Sequence, residues 1–498
     1  MARIACLHVP DLPLAALHRT EPDLRGRPLA VTDRDDPRAP ILAVSEEARS
    51  LGIPAGLSVA QARAACTSLV VRRISAAQLD AAENALSDVA DSFSPRVESH
   101  AAGTVFLDVD GLSTLFGAES HLATSLAARC HRVGLHAGVG IAANRVAARL
   151  AARKGDVEVV PPGEERVRLA PLPLSWLEPP EEIALTLERW GIRTLGDLAR
   201  LSGESVSRRL GEIGLDLWRR ARGEDSTSLE PRVRPPRFEE AVDCEYAIDS
   251  FEPLSFPLRA ALERLVARLA VRALRAGDLE LSLRLEDGGR DDRIVRVAAP
   301  TAEVKVLLSL VRLGIESRPP RGAVEAFSLR VVPERLRPVE LDLFAPPGPA
   351  PDELDVTIAR LAALTGPDRV GAPVVVDSHR PEAFSMERFE AKSSPNGNGT
   401  APAHVSVLAL RAFRPPVPVE VVCDRGRPDF IQGGGNGSGA PLHGRIVVCA
   451  GPWRLQGEWW REGPLARDYY DVEVSDGCVY RIYRDHVSGR WYAHGTYD

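Results

Sequence analysis

Apolar and polar positions change rhythm several times along the chain, and each change predicts an element. Residues 4–9 are a short run of strand formers followed by a short helix, and the runs 26–31 and 39–45 predict two more strands. Glycine and proline divide residues 45–66 into two helices about a turn. Leu79, Ala82, Leu86, Val89 and Phe93 recur at helical spacing and predict an amphipathic helix over 76–93. Residues 96–112, RVESHAAGTVFLDVDGL, read as a strand rising out of a loop, with Val105, Phe106, Leu107 and Val109 as strand formers and Gly111 as the stop. A helix near 119–133, a strand in HAGVGIA and a helix in NRVAARLAARKG complete a mixed α/β block that ends near residue 165.

From 166 to 228 the pattern is helical with short loops, and the segment GIRTLGDL sets glycines between two helices, as helix-hairpin-helix units do. Residues 237–335 then read strand (238–248), helix (256–276), strand (Leu279, Leu281, Leu283 and Leu285 alternating), strand (294–297), helix (301–313) and strand (324–332). This is a βαββαβ order, a small sheet with two helices on one face. The chain is Pro-rich after residue 333, and 392–403 and 432–441 are low-complexity runs. The tail from 445 holds four of the seven Trp and six of the seven Tyr, and alternates like a hairpin around Asp476 and Gly477.

Composition narrows the class. The 498 residues predict several domains, and 44% hydrophobic with 26% charged content is that of a globular protein. Seven scattered cysteines without a C-x-x-C spacing argue against a disulfide framework or a zinc site, and predict a reducing cytosol. No leader and no long apolar span is read, so no membrane partner is expected. The net charge of −7 does not suggest nucleic acid, and residues 188–237, with eleven Arg against eight acids, are only weakly basic.

Three stretches in order resemble the Y-family (translesion) DNA polymerases. AVSEEARSLGIPAGLSVAQARAAC resembles their fingers segment, SPRVESHAAGTVFLDVDGL stands in the place of their SIDEAYLD strand, and HAGVGIAANRVAARLAARKG resembles their GIS.NK..AK.A helix. The resemblance implies an α+β multidomain fold. Palm and fingers would take 1–165 (fingers about 22–75), a helix-hairpin-helix thumb 166–230 and a βαββαβ little finger 237–335. A linker would follow over 336–403, then a C-terminal region, small and β-rich, over 404–498.

Polymerase chemistry needs two Mg²⁺ ions ~4 Å apart, held by carboxylates on neighbouring strands. The resemblance places His8 or Val9 at the first ligating position and Gly103 and Thr104 at the Asp-Glu pair, none of them with a carboxylate. Asp11 matches a second acidic position, Leu14 the residue that screens the sugar, Arg49 a triphosphate contact and Lys154 lies near another. Asp108 and Asp110 stand two apart on one strand face, but as a strand end and turn. The alternative is an active polymerase with a displaced Mg²⁺ site of Asp11, Asp108 and Asp110.

Y-family-like chains that lack the catalytic acids and carry a C-terminal extension are the ImuB-type proteins, which this combination resembles. No catalytic residue, metal or cofactor is then expected. Glu340, Leu341, Asp342, Leu343 and Phe344 resemble the pentapeptide that binds the DNA sliding clamp, an extended segment that seats Leu343 and Phe344 in an apolar pocket. Arg208, Arg209, Arg219 and Arg220 are the candidate contacts to damaged DNA, bound weakly. The resemblance implies a non-catalytic adaptor of error-prone translesion synthesis in the bacterial cytoplasm, at the nucleoid. Its further partners would be a RecA-like accessory protein and an error-prone replicative-type DNA polymerase, recruited by the C-terminal region.

Overall fold

The N-terminal apolar run forms strand β1 (Ile4–His8), which leads into helix α1 (Leu12–Thr20). Strands β2 (Leu29–Thr32) and β3 (Ile41–Val44), helices α2 (Glu46–Ser50) and α3 (Val59–Ala65) and strand β4 (Val70–Arg73) make a small three-stranded layer, ordered β3-β2-β4. Helix α4 (Ala76–Asp91) starts at a capping box in which Ser75 and Gln78 bond each other's backbone. Strand β5 (Val97–Ala101) and strand β6 (Thr104–Asp108) follow as a hairpin, so RVESH is itself a strand and not the loop expected from its polar residues. Helices α5 (Ser113–Phe116) and α6 (Glu119–Arg132), strand β7 (Gly138–Ala142), helix α7 (Arg145–Ala152) and strand β8 (Val157–Val159) complete the block.

In this computed structural model the residues described are 3–231, 235–297, 300–335, 354, 357–358, 360–362, 365–366, 369–378, 380, 383–387, 409–433, 442–458, 460 and 464–497. The palm sheet runs β5-β6-β1-β7-β8, with β1 at its centre. Both of its faces are buried, which is why β1 reads as a continuous apolar run. Ala5, Leu7, Val105 and Leu107 pack on one face with α1, α4 and α6. Ile4, Cys6 and Phe106 pack on the other, in a core shared with α7 and the helices that follow.

Those helices are α8 (Glu165–Leu169), α9 (Glu181–Arg189), α10 (Leu195–Ala199) and α11 (Gly203–Ala221). Gly191 turns the chain between α9 and α10, as the GIRTLGDL segment predicts. A second turn lies inside α11, where Gly211 sits at φ 68° and breaks the helical path. Only glycine takes that conformation without a steric penalty.

The next region is a four-stranded sheet ordered β11-β10-β12-β9. Its elements are β9 (Phe238–Ile248), α12 (Phe251–Val271), β10 (Leu274–Leu285), β11 (Arg290–Val295), α13 (Val304–Ser317) and β12 (Val324–Arg335), the βαββαβ order read from the sequence. Helix α12 runs five residues earlier than its rhythm suggests and stops sooner. Leu274, Arg275 and Ala276, helical by pattern, instead pair with Arg335, Glu334 and Pro333 of β12. The element order fits the palm and fingers, helical thumb and little finger that the resemblance to Y-family polymerases implies.

Residues 1–367 form one unit and 368–498 a second. The second begins with the hairpin β13 (Ala372–Val375) and β14 (Phe384–Glu387). Strands β15 (Leu410–Asp424), β16 (Arg427–Gly433), β17 (Leu442–Gly457), β18 (Leu465–Val474), β19 (Val479–Asp485) and β20 (Trp491–Tyr497) then close into a barrel in sequence order. The hairpin expected at Asp476 and Gly477 is β18–β19, with Gly477 at φ 84°. Much of the aromatic tail is barrel structure: Tyr470, Tyr480 and Trp491 pack with Val472, Ile482 and Ala493.

Candidate nucleotide site in the palm

The antiparallel pairing of β1 with β6 sets His8 opposite Thr104 and Ile4 opposite Asp108. Just beyond this register the Val9 N–H donates to the Gly103 carbonyl at 2.8 Å. A Cβ on Gly103 would lie 3.5 Å from the Val9 Cβ and 3.4 Å from the Leu12 Cβ. The three positions expected to lack metal ligands are therefore neighbours in space, and they meet as a dry contact: Val9 is 2% and Thr104 4% exposed.

Gly103 does more than lack a carboxylate. Its φ of +71° suits glycine, and a Cβ there would stand 2.6 Å from the Val9 carbonyl oxygen. An acidic side chain could enter only with movement of the backbone. The Thr104 hydroxyl is bonded to His8 Nδ1 at 3.0 Å. Burial, followed by the positive charges of Arg153 and Arg149, holds His8 down at about 4, so it is neutral at physiological pH.

The remaining acids do not rebuild a site. Asp108 lies four residues along β6 from Thr104, ~13 Å away. Its Oδ2 meets Arg96 at 2.8 Å, and its Oδ1 accepts the Asp110 N–H at 3.0 Å, a strand end followed by a turn at Gly111. Asp11 lies past the opposite end of the pairing, at the start of α1, 3.4 Å from Arg49. Metal ligands stand within ~2.1 Å of a Mg²⁺ ion, so Asp11 and Asp108 cannot share one. Arg49 is also 2.5 Å from Glu46 and Lys154 is 2.8 Å from Glu158, while Leu14 packs at the edge of the palm core. No group of three or more His, Cys, Asp or Glu suited to a metal ion occurs among the described residues.

Three of the four thumb arginines already have a partner within the chain. Arg208 pairs with Glu204 at 2.7 Å and Arg220 with Asp216 at 2.8 Å, both within α11. The Arg209 guanidinium stacks 5.6 Å from the Trp190 ring, and Arg219 is exposed. On the little-finger sheet, the face away from its helices carries Arg284, Arg290 and Arg330. Each is matched by an acid: Asp243 at 2.9 Å, Asp292 at 2.9 Å and Glu280 at 3.3 Å. Glu340, Leu341, Asp342, Leu343 and Phe344 lie outside the described residues.

Sequence reasoning missed a buried charge cluster where the little finger meets the palm. Arg19 of α1 donates two parallel hydrogen bonds to Glu240 of β9, 2.7 Å at each oxygen, with both side chains buried. Glu240 also accepts from Arg264 at 2.9 Å and Arg268 at 3.2 Å, and Arg268 reaches Asp88 of α4 at 2.9 Å. Burial pushes the Glu240 carboxyl up, but Arg19, Arg264 and Arg268 outweigh it and hold it at about 2. Burial raises Asp88 despite Arg268 and Arg272. The signal was the i, i+4, i+8 spacing of Arg264, Arg268 and Arg272 along the end of α12 and its C-cap, beside the core residues Leu265 and Leu269.

Comparison with known proteins agrees with this architecture. The impB/mucB/samB family model matches residues 13–153. Protein ImuB of Caulobacter vibrioides (strain NA1000 / CB15N) is 27% identical over 482 residues, which covers 90% of this chain and 100% of the relative. DNA polymerase IV of Halorhodospira halophila is 28% identical over 302 residues, 59% of this chain and 84% of that one. The crystal structure of DinB from Sulfolobus solfataricus aligns with 67% of this chain and 100% of its own, at 16% identity and a TM-score of 0.41. Residues 13–153 match the impB/mucB/samB family model, and the chain is similar in sequence to protein ImuB along 90% of its length.

Proposed function

We propose that this chain serves DNA-damage tolerance as a non-catalytic adaptor, a polymerase-shaped body that performs no nucleotide transfer. One observation carries the reading: Val9, Gly103 and Thr104 meet at the palm position where two ions would have to be held, without a carboxylate among them and with a backbone that resists one. The reading of an active polymerase would need Asp11 and Asp108 to share an ion from opposite ends of the β1–β6 pairing.

An adaptor acts by holding other molecules. Glu340–Phe344 would engage the sliding clamp, and the C-terminal unit would recruit a RecA-like accessory protein and an error-prone replicative-type polymerase that supplies the chemistry. Weak sites joined on one chain raise effective concentration, so no single contact has to be strong. DNA contact through Arg208, Arg209, Arg219 and Arg220 would be weak, because most of these groups already hold partners. Cytoplasmic action at the nucleoid fits the same reading, and among the described residues no helix is long and apolar enough to cross a membrane.

Primer extension with the purified chain tests the proposal. The expected result is no Mg²⁺- or Mn²⁺-dependent incorporation. Incorporation that disappears on Asp108→Ala would overturn it. In parallel, Leu343→Ala with Phe344→Ala should abolish clamp capture; unchanged capture would remove the motif from the account.

A further inference from the structure

The charge cluster between palm and little finger has a geometry that a mobile domain contact does not need. Surface ion pairs between domains are hydrated, contribute little and let the partners slide. Here Arg268 and Glu240 are both 0% exposed, Asp88 is 3% and Arg19 is 6%. Four elements from two separate hydrophobic cores contribute: α1 and α4 from the palm, β9 and α12 from the little finger.

The donors and acceptors are matched closely. The Arg268 Nε donates to Asp88, one terminal nitrogen to Glu240 and the Glu239 carbonyl, and the other to the Arg237 carbonyl at 2.6 Å. Its guanidinium also stacks 5.3 Å from the Phe238 ring. The Arg19 Nε donates to the Val133 carbonyl at 2.8 Å while its two terminal nitrogens hold Glu240. Separating the two bodies would bare a buried carboxylate against fewer guanidinium groups on each side, which is strongly unfavourable. Around the rim, Arg272 meets Asp91 at 3.0 Å, Arg72 meets Glu245 at 3.4 Å and Arg73 meets Asp243 at 3.4 Å. The last two tie the fingers strand β4 to the same edge strand, β9.

We infer that the Arg19–Glu240–Arg268–Asp88 network locks the little finger onto palm and fingers, so that these regions move as one rigid body. The segment that joins thumb to little finger is then a tether and not a working hinge. Bidentate geometry also fixes orientation: a slide of one residue along β9 would take Glu240 away from Arg19 and Arg268 away from Asp88. A platform of this kind presents partners at fixed spacing, whatever the chemistry of those partners. The inference stands independently of the adaptor reading, since a locked little finger is compatible with either a silent or an active palm.

The test is to cut the tether in the full-length chain. A site-specific protease sequence inserted between the exposed Pro235 and Pro236 is cleaved, and the two fragments are followed by gel filtration. The lock predicts that they co-elute, and continue to do so at ~1 M salt, where exposed pairs such as Arg72–Glu245 are screened. Fragments that separate in low salt would overturn the inference. The same cleavage in Glu240→Gln should weaken their association at least about a hundredfold. Association as tight as in the unmodified chain would equally overturn it. If Glu240→Gln does not fold, Asp88→Asn makes the same comparison, with the same loss expected.

Discussion

The palm floor and the palm–little finger junction are two places where carboxylates could gather, and they have been built in opposite ways. At the floor the positions that face each other are Val9, Gly103 and Thr104, a buried contact beside His8. At the junction Glu240 and Asp88 are present and buried, but every oxygen is committed to an arginine. Neither place offers a carboxylate oxygen without an arginine partner: the three floor positions carry no carboxylate, and at the junction every Glu240 and Asp88 oxygen already accepts from a guanidinium. The difference teaches that the count of acids in a fold says little about metal binding. What their neighbours leave unpaired decides it.

The largest expected effect is at the junction. Glu240→Ala would leave three buried guanidinium groups around an empty acceptor and should cost about 3–5 kcal/mol in urea unfolding. Its pH signature has a defined sign. Because the folded Glu240 is held down at about 2, its stabilisation is complete above the unfolded value near ~4.3 and is lost as pH falls toward 2. Asp88, raised by burial, slopes the other way. Glu240→Gln should therefore flatten or invert the acid limb between about pH 4 and pH 2; an unchanged limb would deny Glu240 its place in the network.

A smaller loss is expected at the floor. Gly103→Asp places a side chain at φ +71° and against the Val9 carbonyl, and should destabilise by about 2–4 kcal/mol without creating activity. A variant as stable as the parent would show that the floor can accept an acid, and the contrast with the junction would disappear. Next in size is the titration of His8, followed by nuclear magnetic resonance. It should titrate at about 4, and Arg153→Ala should raise that value because a positive neighbour is removed. A fall on that substitution would contradict the part assigned to Arg153 in holding His8 down. The smallest effects belong to the thumb: Arg208→Ala and Arg220→Ala should each change the salt slope of DNA binding by less than about one unit, since each already holds an acid.

Much of the body was legible because its signals are local. The βαββαβ order came from the alternation of Leu279, Leu281, Leu283 and Leu285 between two helical rhythms, and the thumb turn from Gly191. The lack of a carboxylate at Val9, Gly103 and Thr104 is a matter of residue identity alone, wherever the backbone goes. What the sequence hid depends on pairing between distant segments. Glu98 and Ser99 read as loop because they are polar, yet β6 pairs with them as a strand. Arg19 and Glu240, separated by more than two hundred positions, gave no sign of meeting. Asp88 lies on a second buried face of α4, beside Ala81 and Ala85, which an amphipathic reading of one face assigns to solvent. Strands β15–β17 lie in Pro-rich and Gly-rich text, and only closure of the barrel gives them a partner on both sides.

The measurement closest to the heart of the account is direct Mn²⁺ binding to the purified full-length chain, followed by electron paramagnetic resonance. If the palm lacks a seat for a pair of ions, the spectrum of free Mn²⁺ should persist on titration up to ~1 mM, with or without added deoxynucleoside triphosphate beyond what the nucleotide itself binds. Two equivalents of Mn²⁺ taken up by the protein, and released by Asp11→Ala or Asp108→Ala, would contradict it.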